Sequence, residues 1–174
     1  LTTRRLASLG AKVTGIDFAS EMINNARKRT NLYQENQELI EYQVLDATDE
    51  TALLKLGENS FDAAVSAMAL MDMAEIEPLF KALIKIIRPG GYFIFAIQHP
   101  CFNSMHISLG GELIENETEL YTEYYLKVKG YLKSSKIRGL ALENQPQPHI
   151  YFHRPLHSLL NTAFQFGFVL DGLE

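Results

Sequence analysis

The sequence predicts an α/β protein: a mostly parallel sheet with flanking helices. Three observations carry that reading. Short β-prone runs alternate with segments of helical periodicity from Val13 to Ile97. Two of the runs end in aspartate, Asp17 and Asp46, and one helix and one strand fill the interval, the rhythm of a βαβ unit. A third run, Phe61 to Met68, consists of small and apolar residues that suit a strand covered on both faces.

Taken in order, Thr2 to Leu9 reads as the end of a helix, with Leu6 and Leu9 on one face and Gly10 placed to stop it. Lys12 to Ser20, K-V-T-G-I-D-F-A-S, is a β-prone run that ends at Asp17, after which Ser20 can cap a helix. That helix runs to about Arg29: Met22, Ile23 and Ala26 fall at helical spacing, and Arg27, Lys28 and Arg29 suit its C-terminus. Thr30 to Glu38 is polar and reads as a loop. Ile40 to Leu45 is the second strand and ends at Asp46. Parallel neighbours put Asp17 and Asp46 on the same edge of the sheet, where open α/β folds hold the ribose of nucleotide-like ligands. The alternative is two unrelated turn aspartates, since Asp starts many turns.

Thr51 to Leu56 suits a short helix before the Gly57 to Ser60 turn. At the carboxyl end of the third strand, Ser66 and Ala67 allow close approach of a ligand, or simply make room for packing. Met68, Met71 and Met73 can line a pocket or fill core gaps. Glu77 to Ile87 is the clearest helix: Pro78 fits its first turn, and Phe80, Leu83, Ile84 and Ile87 recur at helical spacing. Pro89, Gly90 and Gly91 break it, and Tyr92 to Ile97 is the fourth strand, ending in Gln98, His99 and Pro100.

Composition limits the function classes. The 174 residues are enough for one domain with a sizeable core. A net charge of -5 argues against a basic nucleic-acid surface as the default. Cys101 is the single cysteine, which excludes an internal disulfide and a cysteine-based metal site and suits a reducing cytoplasm. No apolar run reaches the length of a membrane span. No nucleic acid, membrane or metal is therefore expected, and the oligomeric state is not legible.

The four segments I-D-F-A-S-E-M-I, V-L-D-A, F-D-A-A-V-S-A-M-A-L-M-D-M and I-I-R-P-G-G-Y-F-I-F-A-I resemble, in order and spacing, the class I S-adenosylmethionine-dependent methyltransferases. The resemblance covers Leu1 to Pro100 and implies a Rossmann-like fold, S-adenosylmethionine as cofactor and methyl transfer as the reaction. The continuation Q-H-P-C-F, with F-H-R-P-L and G-F-V-L, looks like bacterial members expected to act on small molecules. Position by position, the resemblance makes Asp17 the acceptor for the ribose hydroxyls and places Phe18 and Met22 near the adenine. Asp46 accepts from the adenine amino group with Ala47 beside it, and Ser66, Ala67 and Met68 pass the methionine portion. Asp62 lies at the opposite end of its strand and reads as structural.

The family's first strand and its Gly-rich turn belong just before Leu1, and its last antiparallel strand belongs after Leu173. The expected sheet is therefore incomplete at both ends, and Gly167 to Leu173 reads as its sixth strand. A chain lacking a central strand is expected to be poorly stable and to bind the cofactor weakly. The expected organisation is a cofactor-binding core over 1–101, a lid and substrate-recognition insertion over 102–149, and a return helix and strand of the same core over 150–174. Within the insertion, Gly110-Gly111 and the acidic stretch Glu112 to Glu119 suggest a mobile loop, Glu123 to Lys133 a strand or hairpin, and Asn144 to His149 a bend. Tyr121, Tyr124, Tyr125 and Tyr131 can form an amphipathic wall or an ordinary surface hairpin. Ile150 to Phe152 is β-prone and leads through His153-Arg154-Pro155 into a helix buried along Leu156, Leu159, Leu160, Ala163 and Phe164. Arg154 suits a surface or sheet-edge ion pair better than a substrate anion.

Methyl transfer needs the nucleophile, the methyl carbon and the sulfur held in line, and a base only where the nucleophile must lose a proton early. His99 is the first candidate for that base and His153 the second. The alternatives are a NAD-dependent Rossmann oxidoreductase, whose ribose Asp17 can equally hold, and a noncatalytic relative of the methyltransferase fold.

Overall fold

The computed structural model describes residues 1–33, 36–102, 107–116, 118–140 and 147–174. The chain divides into two compact units, one of Leu1–Ala67 with Glu75–Ile94 and one of Met68–Ala74 with Phe95–Glu174.

In the first unit α1 (Thr2–Ser8) ends at a turn in which Gly10 adopts φ +90°, a conformation that costs glycine least. β1 (Val13–Asp17) then leads into α2 (Ser20–Tyr33). The helix runs past Arg29 to Tyr33, so the expected loop is shortened from its start; residues 34–35 of it lie outside the described residues. The extension has a tertiary cause. Thr30 is 5% exposed and its hydroxyl shares a hydrogen bond with the Tyr42 hydroxyl at 2.9 Å, fixing the last turns of α2 on β2 (Ile40–Val44).

β1 and β2 are neighbours and parallel, in the register Val13–Ile40 to Asp17–Val44. α3 (Glu50–Leu54) is capped by Asp49, whose carboxylate accepts from the Ala52 N–H at 3.0 Å. β3 (Phe61–Ala67) pairs with β4 (Ile87–Ala96). Among the described residues no ladder joins β1 or β2 to β3 or β4.

The core of this unit lies along α4 (Glu77–Ile86), which buries Leu79, Phe80, Ala82, Leu83 and Ile86. Phe80 is fully buried and meets Phe93 of β4 edge-on, with ring centroids 5.6 Å apart. Ile84, expected on the buried face, is instead 43% exposed. α4 passes into β4 without the expected turn over 89–91. Ile87 is already extended, and the break is absorbed inside the strand at Gly90, φ +77°. Gly91 lies so close to its neighbours that a Cβ there would sit 2.5 Å from the Asp62 carbonyl oxygen and from Ile87 Cγ2. Asp62 pairs with Arg88 at 2.6 Å, with both side chains exposed.

The second unit holds two antiparallel hairpin-like pairs. β5 (Ile107–Glu115) pairs with β6 (Leu120–Val128), and β7 (Ser135–Gly139) pairs with β8 (His149–His153). Of the loop expected over 110–119, residues 110–115 are strand and residue 117 lies outside the described residues. Gly110 and Gly111 sit in the ladder because Tyr125, Thr122 and Tyr124 occupy the space where Cβ atoms would project. Of the expected bend over 144–149, residues 144–146 lie outside the described residues and His149 begins β8.

α5 (Leu156–Gln165) follows Pro155 and buries Leu159 and Ala163 of the expected face, while Leu156 and Leu160 are half-buried and Phe164 is exposed. Gly167 takes φ +87° after it. The sixth strand expected at 167–173 does not form: no strand is assigned there, and Val169, Leu170 and Leu173 are exposed. A β-prone run needs a neighbour to accept its ladder, and none of the described strands pairs with it.

Candidate functional site

The two aspartates stand as the strand spacing predicts. Asp17 is the last residue of β1, opposite Val44, and the ladder continues one step as the Leu45 N–H donates to the Asp17 carbonyl at 3.0 Å. Asp46 follows at once, so both carboxylates emerge from the carboxyl edge of one parallel pair. Each uses one oxygen to hold its own turn. Asp17 Oδ1 accepts from the Ala19 N–H at 2.8 Å, and Asp46 Oδ1 accepts from the Thr48 N–H and hydroxyl, both at 2.8 Å. These local bonds fix the carboxyl planes and leave Oδ2 of each as the acceptor for a ligand. Asp17 is half-buried and Asp46 exposed, with Ala47 half-buried beside it.

Phe18 is 74% exposed and Met22 58% exposed. Two large apolar side chains held in water beside a pair of acceptors suit a flat ring that needs covering. A recess in the same unit, lined by Arg27, Thr30 and Tyr42, lacks both aspartates.

The carboxyl end of β3 is unusual in two ways. Ser66 Oγ is buried without a hydrogen-bond partner, a polar atom left to be satisfied. Met68 adopts φ 57°, rare for a bulky side chain, and its N–H donates to the Ala96 carbonyl at 2.8 Å. Ala67 and Met68 are exposed.

His99 is exposed, and its ring packs 5.7 Å from that of Phe102. Its Nδ1 accepts the Cys101 N–H at 3.1 Å. A neutral imidazole so bonded carries its proton on Nε2, and in this geometry His99 offers a donor rather than a lone pair.

The second unit holds Arg154, His153 and Tyr131, named from the sequence, and Asp72 and Tyr151, to which the sequence reading gave no role. The Arg154 guanidinium donates to the carbonyls of Leu70, Met73, Ala74 and Phe152. A planar fork of five donors can span several carbonyls, which is why this position takes Arg. His149 Nε2 lies 3.6 Å from Asp72 Oδ1. Burial raises the Asp72 carboxyl above its ordinary range, and His149 pulls it part of the way back. Desolvation and the Asp72 charge raise the Tyr151 hydroxyl. His153 is 5% exposed, and its Nε2 meets the Tyr131 carbonyl at 2.8 Å, while the Tyr131 hydroxyl accepts the Leu156 N–H at 3.0 Å. The sequence cue for this network was the partly alternating Tyr-rich run, which names Tyr131 but not its partners. Among the described residues no group of three or more His, Cys, Asp or Glu is arranged to hold a metal ion, and no helix is long and apolar enough to cross a membrane.

The profile of a family described as a methyltransferase domain matches residues 1–95. Phosphoethanolamine N-methyltransferase 2 of Caenorhabditis elegans is 32% identical over 82 residues, which is 47% of this chain and 17% of that protein. The chain spans well under half the length of the curated relatives it matches. An S-adenosylmethionine-dependent methyltransferase from Mesorhizobium loti superposes with TM-score 0.71 at 23% identity, covering 94% of this chain and 66% of that one. The glycopeptide N-methyltransferase MtfA, solved with S-adenosyl-L-methionine, superposes with TM-score 0.60 at 12% identity, covering 96% and 71%. At these identities the likeness is one of fold, and it is the Rossmann-like α/β fold expected from the sequence.

Proposed function

The chain belongs to the methyltransferase domain family, and from that membership we propose that it transfers a methyl group from S-adenosylmethionine to a small-molecule acceptor. The observation that carries the proposal is the placement of Asp17 and Asp46 at one edge of neighbouring parallel strands, each with one carboxylate oxygen left after its turn is made. In this reading Asp17 accepts from the ribose hydroxyls and Asp46 from the adenine amino group. Phe18 and Met22 cover the base, and Ala47 leaves room beside it. Ser66, Ala67 and Met68 flank the methionine portion, where the unpartnered Ser66 hydroxyl gains a bond. That MtfA was solved with the same cofactor supports the assignment through the shared fold.

The cofactor, when bound, supplies an electrophilic methyl group on a sulfonium. The protein's contribution is to hold the acceptor in line and exclude water, an effect that can lower a barrier by about 7–11 kcal/mol. His99 is proposed to act at the acceptor through Nε2–H, orienting an oxygen or nitrogen, because its other nitrogen is held by Cys101.

The discriminating experiment is thermal unfolding with S-adenosylhomocysteine against NAD. A ligand at about 100 times its Kd stabilises by about 2.7 kcal/mol. Stabilisation by S-adenosylhomocysteine alone is expected; stabilisation by NAD alone would make the chain a dinucleotide-binding protein. Stabilisation by neither would leave the noncatalytic relative.

A further inference from the structure

We propose that Arg154 is a positioning residue for the cofactor: it clasps the chain just after Met68 and so holds the backbone that meets the methionine portion. What that backbone meets rests on the function proposed above. The clasp itself stands on contacts made within the second unit.

β3 ends at Ala67, and the next residue takes φ 57° with its side chain 45% exposed. The left-handed region is costly for a bulky side chain, and such a conformation persists only where the surroundings over-determine it. Two anchors flank Met68. On one side its own N–H donates to the Ala96 carbonyl at 2.8 Å. On the other, Leu70 is 2% exposed, and its carbonyl, with those of Met73 and Ala74, accepts from the Arg154 guanidinium. The residues so joined stand 80 to 84 positions apart in the chain. A guanidinium spreads five donors over a plane and can reach all of these oxygens at once, which an ammonium, with its donors on one nitrogen, does not.

The guanidinium is fixed in its turn. It donates to the Phe152 carbonyl at 3.4 Å, and its Cζ lies 5.8 Å from the centroid of the Phe152 ring. β8 holds Phe152 opposite Lys136 of β7, and Pro155, which follows Arg154, is fully buried. A second link from the same strand, His149 to Asp72 at 3.6 Å, joins side chains 35% and 44% exposed and contributes less. The shape of 68–74 is thus imposed by β8 and the residue after it. The two aspartates are independent of this clasp, because each is held by its own turn. Loss of Arg154 therefore touches the methionine side of the cofactor and spares the adenosine side.

The test compares S-adenosylhomocysteine with adenosine, which lacks the methionine portion, by calorimetric titration into the whole chain and into Arg154→Lys. The unmodified chain is expected to bind S-adenosylhomocysteine the more tightly. Arg154→Lys is expected to weaken S-adenosylhomocysteine about tenfold and to leave adenosine within about twofold. Amide exchange is a second readout that needs no cofactor: the Met68 N–H is expected to exchange faster in Arg154→Lys, by more than the amides of β1 and β2. Unchanged exchange at Met68, unchanged affinity for S-adenosylhomocysteine, or an equal loss of both ligands would each overturn the proposal. An unmodified chain with no preference for S-adenosylhomocysteine over adenosine would remove the role given to Met68 and the proposal with it. A preference that survives intact in Arg154→Lys would remove the proposal alone and leave the proposed reaction standing.

Discussion

Replacing Asp17 by Asn isolates the contribution of a single carboxylate oxygen. In the native turn Asp17 Oδ1 accepts the Ala19 N–H at 2.8 Å. Asn keeps a carbonyl oxygen in that role, so the turn survives and the fold is unaffected. The second oxygen becomes an amide NH2, which donates where a ribose hydroxyl needs an acceptor. A hydrogen bond to a charged group contributes about 1.5–3 kcal/mol, and because Asp17 is half-buried rather than enclosed the lower part of that range applies. A loss of roughly 1.5–2 kcal/mol weakens binding about 10- to 30-fold. The assay is calorimetric titration of S-adenosylhomocysteine into both proteins, with urea unfolding as the check on the fold. Affinity within twofold of the unmodified chain, in an Asp17→Asn protein whose urea midpoint has not moved, would refute the role given to this residue. Asp17→Ala, by contrast, loses the turn bond as well and is expected to be less stable by about 1 kcal/mol.

Phe80→Ala removes the fully buried ring that meets Phe93 and is expected to cost about 3–5 kcal/mol in urea unfolding. Arg154→Lys replaces a fork that spans four carbonyls with a single point donor. It is expected to destabilise by roughly 1.5–3 kcal/mol and to raise amide exchange across 70–74. Because the folded Asp72 carboxyl is raised, its favourable contribution is fully present below its ordinary value of 3.8 and is lost as pH rises through the raised value. Asp72→Asn should therefore gain stability relative to the unmodified chain across that interval, as followed by thermal unfolding at successive pH values; a gap independent of pH would contradict the shift. His99→Ala is expected to lower turnover by less than the roughly 10²–10⁴-fold typical of removing a general base, since its Nδ1 lone pair already serves Cys101. A larger loss in steady-state turnover, with cofactor affinity unchanged, would restore it as a base.

Local chemistry settled the first half of the chain from sequence. The β-prone run into Asp17, the helix behind it and the second run into Asp46 are each specified by neighbouring residues, and the parallel pairing follows from the length of the connection. The Pro78 start and apolar spacing of α4, and the Pro155 start of α5, were legible for the same reason. Partners distant in sequence decided the rest. α2 extends to Tyr33 because Thr30 meets Tyr42, and β4 begins at Ile87 because Gly91 packs against the Asp62 backbone. The C-terminal run, though β-prone, stays irregular because no described strand pairs with it.

The candidate sites divide in the same way. Asp17 and Asp46 could be picked out from sequence because strand ends are a local pattern, and the parallel register then brings them to one edge. His99 could be picked out as a residue after a strand, but only the folded turn shows which of its nitrogens is taken. The roles of Arg154 and His153 depend on carbonyls at Leu70 and Tyr131, far along the chain. Sequence by itself determined where strands, helices and acidic strand ends fall, because those depend on backbone preference and nearby side chains. Tertiary structure alone decided which donors and acceptors are already satisfied and which remain for a ligand, because hydrogen-bond partners are chosen by proximity in space and not by order along the chain.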